Sequence, residues 1–270
     1  MLTDMAEIEQ LEHYQAALFG FEDTLANSTE ADHEALRQAF ANQATLTGDF
    51  RFGTISNLAY QKVKQLDLSE EESIAWLLAQ PLIIEEETDV DDPYIKEIQI
   101  LKRDAYQTLA NRGLPEITTA TKFVATANHR LEGKVGIITT TPFRVVKSFL
   151  IYNNLLNSIE SKRIFPAELT PGEGPAPAAY QLAAQRLGVT SLERLLIVDT
   201  QTDTLIAAKR AGATVIGIMN GKNSDELDLL SQDQDSPDYI AEGYDDLRQQ
   251  LAAPTVADTL RPSHHHGYVG

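Results

Sequence analysis

Ala17-Leu18-Phe19-Gly20-Phe21-Glu22-Asp23-Thr24-Leu25-Ala26-Asn27-Ser28 decides how this chain is read. An apolar run, a short acidic turn and then Thr-Leu-Ala-Asn-Ser leading into a helical pattern describe a buried strand, over residues 16–21, that hands over to a helix. Residues 135–139, 195–198 and 214–218 have the same character: short, rich in branched side chains and closed by a turn, as expected of parallel strands covered on both faces. Helical spacing fills the intervals. Val146, Phe149, Leu150 and Asn153 share one side of residues 143–156, and Gly188 and Gly212 stand as C-caps after the helical runs 178–187 and 203–211. This alternation over residues 133–253 predicts a doubly wound parallel α/β sheet.

Residues 29–126 differ in kind. They lack strand patterns and carry amphipathic runs at 30–40, 57–66, 70–78 and 94–111, with Ser69 and Glu72 spaced as a capping box. The expected organisation is therefore an α/β core from residues 12–28 and 127–253, a helical cap inserted at 29–126, and a disordered tail at 254–270. The acidic run at 85–93 has neither EF-hand spacing nor its turn glycine and reads as a solvated loop. His264, His265 and His266, adjacent on the tail, do not make a closed metal site.

Forty acidic residues against 22 basic ones give a net charge of −18, which repels polyphosphate backbones and anionic membranes and so excludes a nucleic-acid partner. The chain has no cysteine, which removes disulfides, thiolate metal sites and thiol nucleophiles. The first residues lack a basic and then apolar leader, and no apolar run approaches the roughly 18 residues of a membrane span. A cytoplasmic protein with no membrane insertion is expected.

The opening stretch resembles the first motif of the haloacid dehalogenase (HAD) superfamily, hydrophobic residues followed by Asp-x-Asp-Gly-Thr, whose first Asp attacks the substrate. Val135-Gly136-Ile137-Ile138-Thr139-Thr140-Thr141-Pro142 resembles the second motif, a strand ending in a hydroxyl residue that holds phosphate oxygens together with the following amides. Gly174-Pro175-Ala176-Pro177 has the frame of the third, Lys-Pro-x-Pro before a helix. Residues 195–213, ending Ala207-Ala208-Lys209-Arg210-Ala211-Gly212-Ala213, resemble the fourth, and Asp238-Tyr239-Ile240 with residues 244–247 resembles the closing strand and helix. With the helical insert directly after the first motif, the chain looks like the phosphoglycolate phosphatase and β-phosphoglucomutase group. The resemblance implies a Rossmann-like core with a helical cap, and phosphoryl transfer through an aspartyl-phosphate with Mg²⁺.

The charged positions of that frame are changed. Gly20 stands at the nucleophile position and can neither attack nor ligate a metal; losing an essential nucleophile costs on the order of a millionfold in turnover. Glu22 takes the general acid and base position with one extra methylene, and Asp23 replaces the turn glycine. Gly174 stands where the third motif has Lys; Lys147, Lys162 and Arg163 read as surface charges. In the fourth motif Asp199 keeps the first acid, Thr200 replaces the second, and the later acid falls at Thr204 beside Asp203.

A magnesium site drawn from the Glu22 carbonyl and Asp199, with Asp203 as a further candidate, would be weak, and no other cofactor is called for. The function expected is that of a HAD-like protein that has lost phosphatase activity and acts by binding, with a small phosphorylated ligand between core and cap or a protein partner. The alternative is an active Mg²⁺-dependent phosphohydrolase with Glu22 or Asp23 as a displaced nucleophile. Thr139, Thr140, Thr141 and Asp23 are the ligand-binding candidates; the three threonines read equally as a cap for the helix starting at Phe143.

Overall fold

The computed structural model describes residues 9–63, 66, 68–80, 93–170, 174–220 and 235–252; the acidic stretch 85–92 and the tail 254–270 lie outside the described residues. Six strands, β1 (Ala16–Gly20), β2 (Val135–Thr139), β3 (Ile164–Pro166), β4 (Leu195–Asp199), β5 (Thr214–Ile218) and β6 (Tyr239–Ala241), form one sheet in the order β3-β2-β1-β4-β5-β6. Every neighbouring pair is parallel. All positions of β1, β2 and β4 are buried, which is why these three strands show as unbroken apolar runs. β3 does not show in that way. Its three residues end at Pro166, tolerated because β3 lies at the sheet edge where one ladder is missing.

Successive side chains of a strand point to opposite faces, so β1 serves two cores. Leu18 joins Ile138, Tyr180, Ala183, Ile197, Ala208 and Val215 in one buried cluster. Phe19 meets Phe123 edge-on at 6.0 Å, and Phe123 in turn meets Tyr244 at 5.3 Å. Gly188 and Gly212 end their helices with φ of 73° and 91°, a left-handed conformation that glycine adopts without a Cβ penalty.

Thr29–Arg112 forms a compact unit of its own, and the other described residues form the second. The first unit holds α1 (Ser28–Thr47), α2 (Asn57–Val63), α3 (Glu70–Leu78) and α4 (Pro93–Arg112). Leu36, Phe40, Phe52, Tyr60, Ile74, Leu77 and Ile98 give it a separate hydrophobic core. Ser69 accepts from the Glu72 amide at 3.2 Å while the Glu72 carboxylate accepts from the Ser69 amide at 2.8 Å, closing the capping box at the start of α3. The helical unit ends earlier than the expected Thr126. Residues 113–126 belong with the sheet, because α5 (Ala120–Arg130) puts Phe123 against Phe19 and Tyr244. The sheet unit is completed by α6 (Phe143–Tyr152), α7 (Pro177–Leu187), α8 (Thr202–Ala211) and α9 (Tyr244–Ala252). Among the described residues no helix is long and apolar enough to cross a membrane.

Gly136 lies opposite Leu18 in the β1–β2 register, and a Cβ there would stand 2.7 Å from the Arg163 carbonyl oxygen and 2.9 Å from both Leu18 and Phe165. Gly136→Ala is expected to lower stability by about 1–3 kcal/mol through overpacking. Denaturant titration of the variant beside the parent measures it; an unchanged midpoint would show that the β2–β3 spacing is not set by this glycine.

Candidate functional site

Parallel α/β sheets present their ligands with the carboxyl ends of the strands, and here the ends of β1, β2 and β4 bring together the motif residues. Phe19 is opposite Val198, so Gly20 and Asp199 finish their strands side by side. The Asp199 carboxylate fills the space that a side chain at Gly20 would need: a Cβ on Gly20 would lie 2.3 Å from Oδ2 and 2.4 Å from Cγ. Asp199 is turned inward and buried. Its Oδ1 accepts from the Thr24 hydroxyl at 3.1 Å, the Thr200 amide at 2.7 Å and the Gln201 amide at 3.0 Å.

Thr24 and Thr200 clasp this carboxylate to the turn after β1. The Thr24 hydroxyl also accepts from the Thr200 amide at 3.0 Å, and the Thr200 hydroxyl donates to the Glu22 carbonyl at 3.3 Å. Asp23 takes the left-handed conformation at φ 52°, so the turn keeps the backbone shape of the glycine it replaces; Asp is one of the few residues that tolerate it. The Ser28 hydroxyl donates to Asp23 Oδ1 at 2.8 Å and accepts from the Asp23 amide, while Asn220 Nδ2 donates to the Asp23 carbonyl. The Tyr244 hydroxyl donates to the Thr24 carbonyl at 3.1 Å, and burial holds its own pKa well above the ordinary range. The clasping role of Thr24 and the supports from Tyr244 and Asn220 are absent from the sequence reading. Thr24, at the threonine of the first motif, carried the one usable signal.

Glu22 reaches across to β2. Its Oε1 accepts from the Thr139 hydroxyl at 2.8 Å, the Thr140 amide at 3.1 Å and hydroxyl at 3.0 Å, and the Thr141 amide at 2.8 Å and hydroxyl at 2.7 Å. The three threonines are therefore gathered on one point. They do not cap α6, whose N-cap is Pro142 with no side-chain bond.

Of the expected metal set, the Glu22 carbonyl and Asp199 Oδ1 both lie within hydrogen-bond reach of the Thr24 hydroxyl, at 3.3 and 3.1 Å, while the Glu22 side chain turns to the threonines and Asp203 is exposed in the first turn of α8. Among the described residues no three His, Asp or Glu side chains form a metal-holding group. None of the three cations considered for the third-motif Lys pairs with Glu22 or Asp199 among the described residues. Gly174 has φ 80° with nothing within 4 Å of a Cβ among the described residues, Lys162 and Arg163 pair with Glu160, and Lys147 is exposed. Neither Glu22 nor Asp199 has an ion-pair partner among the described residues.

Burial pushes the Asp199 carboxyl up from its ordinary 3.8 to about 6, against the opposing pull of the Gln201 and Thr200 amides; the Glu22 charge adds to the rise. Between about pH 4 and pH 6 the folded protein thus holds a proton that the unfolded chain has lost, and stability falls as pH rises through that window. Below it both states are protonated, and above it both are ionised with the full cost in place, about 3 kcal/mol for a shift of about two units. Asp199→Asn is expected to flatten this segment of the stability curve, read by urea denaturation across the window; an unaltered slope would mean that Asp199 is ionised and solvated in the fold.

Residues 17–218 match the family model described as haloacid dehalogenase-like hydrolase. A phosphoglycolate phosphatase of Salmonella typhi is 25% identical over 262 residues, spanning 92% of this chain and 96% of its own. Among solved structures, a HAD family hydrolase from Deinococcus radiodurans with bound phosphate and sodium has a TM-score of 0.61 at 19% identity, over 92% of this chain and 98% of the other. A HAD hydrolase of family IA, variant 3, from Entamoeba histolytica has a TM-score of 0.57 at 20% identity, over 88% and 98%. The structural likenesses show the shared fold.

Proposed function

The chain belongs to the haloacid dehalogenase-like hydrolase family, and we propose that within it this protein is a catalytically silent member that binds its ligand without hydrolysing it. The observation that carries this reading is the Asp199 carboxylate seated in the space a nucleophile side chain on Gly20 would occupy. A phosphatase of this family needs a carboxylate there to attack phosphorus, and its loss costs on the order of a millionfold. Displaced nucleophiles do not fit the geometry, since the Glu22 carboxylate occupies the very donors a phosphate would need and leaves them when it moves, and Asp23 is bonded to Ser28.

Magnesium does not fit the oxygen set either. Hard cations take several oxygens at once, whereas the Glu22 carbonyl and Asp199 Oδ1 already accept threonine hydroxyls and Asp203 lies apart on the surface. The ligand class that this reading assigns is a small phosphorylated metabolite or its anionic headgroup, met by the hydroxyls and amides of Thr139 to Thr141 with no metal. The phosphoglycolate phosphatase relative supports that class. The role that follows is binding or regulatory.

With Mg²⁺ and a panel of phosphate esters that includes phosphoglycolate, no phosphate release above background is expected. Turnover abolished by Glu22→Gln or Asp23→Asn would contradict the reading. Gly20→Asp alone is expected to restore nothing and to lower stability by about 1–3 kcal/mol, because the new side chain meets Asp199. A Gly20→Asp variant as stable as the parent would show that the space beside Gly20 is open.

A further inference from the structure

We propose that Glu22 is an internal anion that latches the threonine cradle shut, so that a phosphate-class ligand binds only after this side chain swings out. The inference rests on the non-catalytic reading above and adds to it a contact that regulates the same site. Five donors, the hydroxyls of Thr139, Thr140 and Thr141 and the amides of Thr140 and Thr141, lie 2.7–3.1 Å from the single atom Oε1. One carboxylate oxygen has about two lone pairs, so the cluster offers more donors than Glu22 can accept at once. A headgroup with three oxygens would share them more fully, and charge-assisted bonds to each are stronger than neutral ones.

Among the described residues the latch is held by those bonds, and no Lys or Arg pairs with Glu22. It is also placed to open. Glu22 is half-buried and Thr140 is exposed, and a cavity of about 440 Å³ lies on the threonines, lined by Thr139, Thr140 and Thr141, by Phe143 and Leu169, and by Glu168. The turn behind Glu22 does not depend on its carboxylate: the Glu22 carbonyl is tied to Thr200, and Asp23 to Ser28 and Asn220. A ligand anion and the Glu22 carboxylate cannot share the seat, because like charges at contact repel and they compete for the same five donors. The affinity of the wild type for an anion is then reduced by the fraction of molecules in which Glu22 is out.

Inorganic phosphate, added without Mg²⁺, tests this through the amide NMR shifts of Thr140 and Thr141 and through melting temperature. Glu22→Ala is expected to bind with an apparent Kd at least about tenfold below that of the wild type, and to recover with phosphate the melting temperature lost on substitution. Glu22→Gln, which removes the charge and keeps an acceptor, is expected to fall between them, and it carries the comparison should Glu22→Ala fail to fold. Equal affinity in wild type and variants would overturn the latch, as would saturable binding in none of them. No substrate turns over in this experiment, so phosphatase activity found in the wild type would sink the non-catalytic reading and leave the latch result intact.

Discussion

β1 and β4 run parallel with Phe19 opposite Val198, so the residues that end them, Gly20 and Asp199, must share one small volume at the carboxyl end of the sheet. With glycine on one strand, the carboxylate of the other settles into the gap and turns away from solvent. Much of the site geometry follows from that placement. A buried carboxylate needs hydrogen-bond donors, and Thr24, Thr200 and the Gln201 amide supply them. Drawing Thr24 and Thr200 into this duty ties the turn after β1 to β4, and Tyr244 and Asn220 brace the same turn from the closing segments.

The same turn sends Glu22 the other way, to β2. The Glu22 and Asp199 carboxylates, just past the end of β1 and at the end of the neighbouring β4, thus turn in opposite senses, each accepting from hydroxyls and amides and neither paired with a Lys or Arg among the described residues. Hydrogen bonds to charged groups contribute about 1.5–3 kcal/mol each, enough to hold both side chains in these positions. A fold that elsewhere brings carboxylates together for phosphoryl transfer here turns them to its own donors, which joins the proposed catalytic silence to the proposed latch.

The parallel strands are legible in the sequence because burial on both faces leaves unbroken branched runs, and the capping box at Ser69 and the glycine C-caps are legible because they are local. β3 is not, since three edge residues ending in proline make no such run. The helical unit reads as too long because the amphipathic pattern of α5 does not reveal which core its Phe123 faces. At the site the absences are legible: Gly20 and Gly174 announce a missing nucleophile and a missing lysine. What fills the first space is not, because the contacts that decide it join residues as far apart as Thr24 and Asp199, 175 positions along the chain, or Glu22 and Thr139, 117 apart. Helical and strand periodicity say nothing about which way a terminal carboxylate turns.

Whether Asp199 is closed in beside Gly20 and serves no metal is read most directly by following its carboxyl carbon in a ¹³C NMR titration with and without Mg²⁺. One midpoint near the raised value of about 6 is expected, the same in both series. A midpoint that Mg²⁺ drives down into the ordinary carboxylate range would show Asp199 ligating the cation and would contradict the closed-in placement.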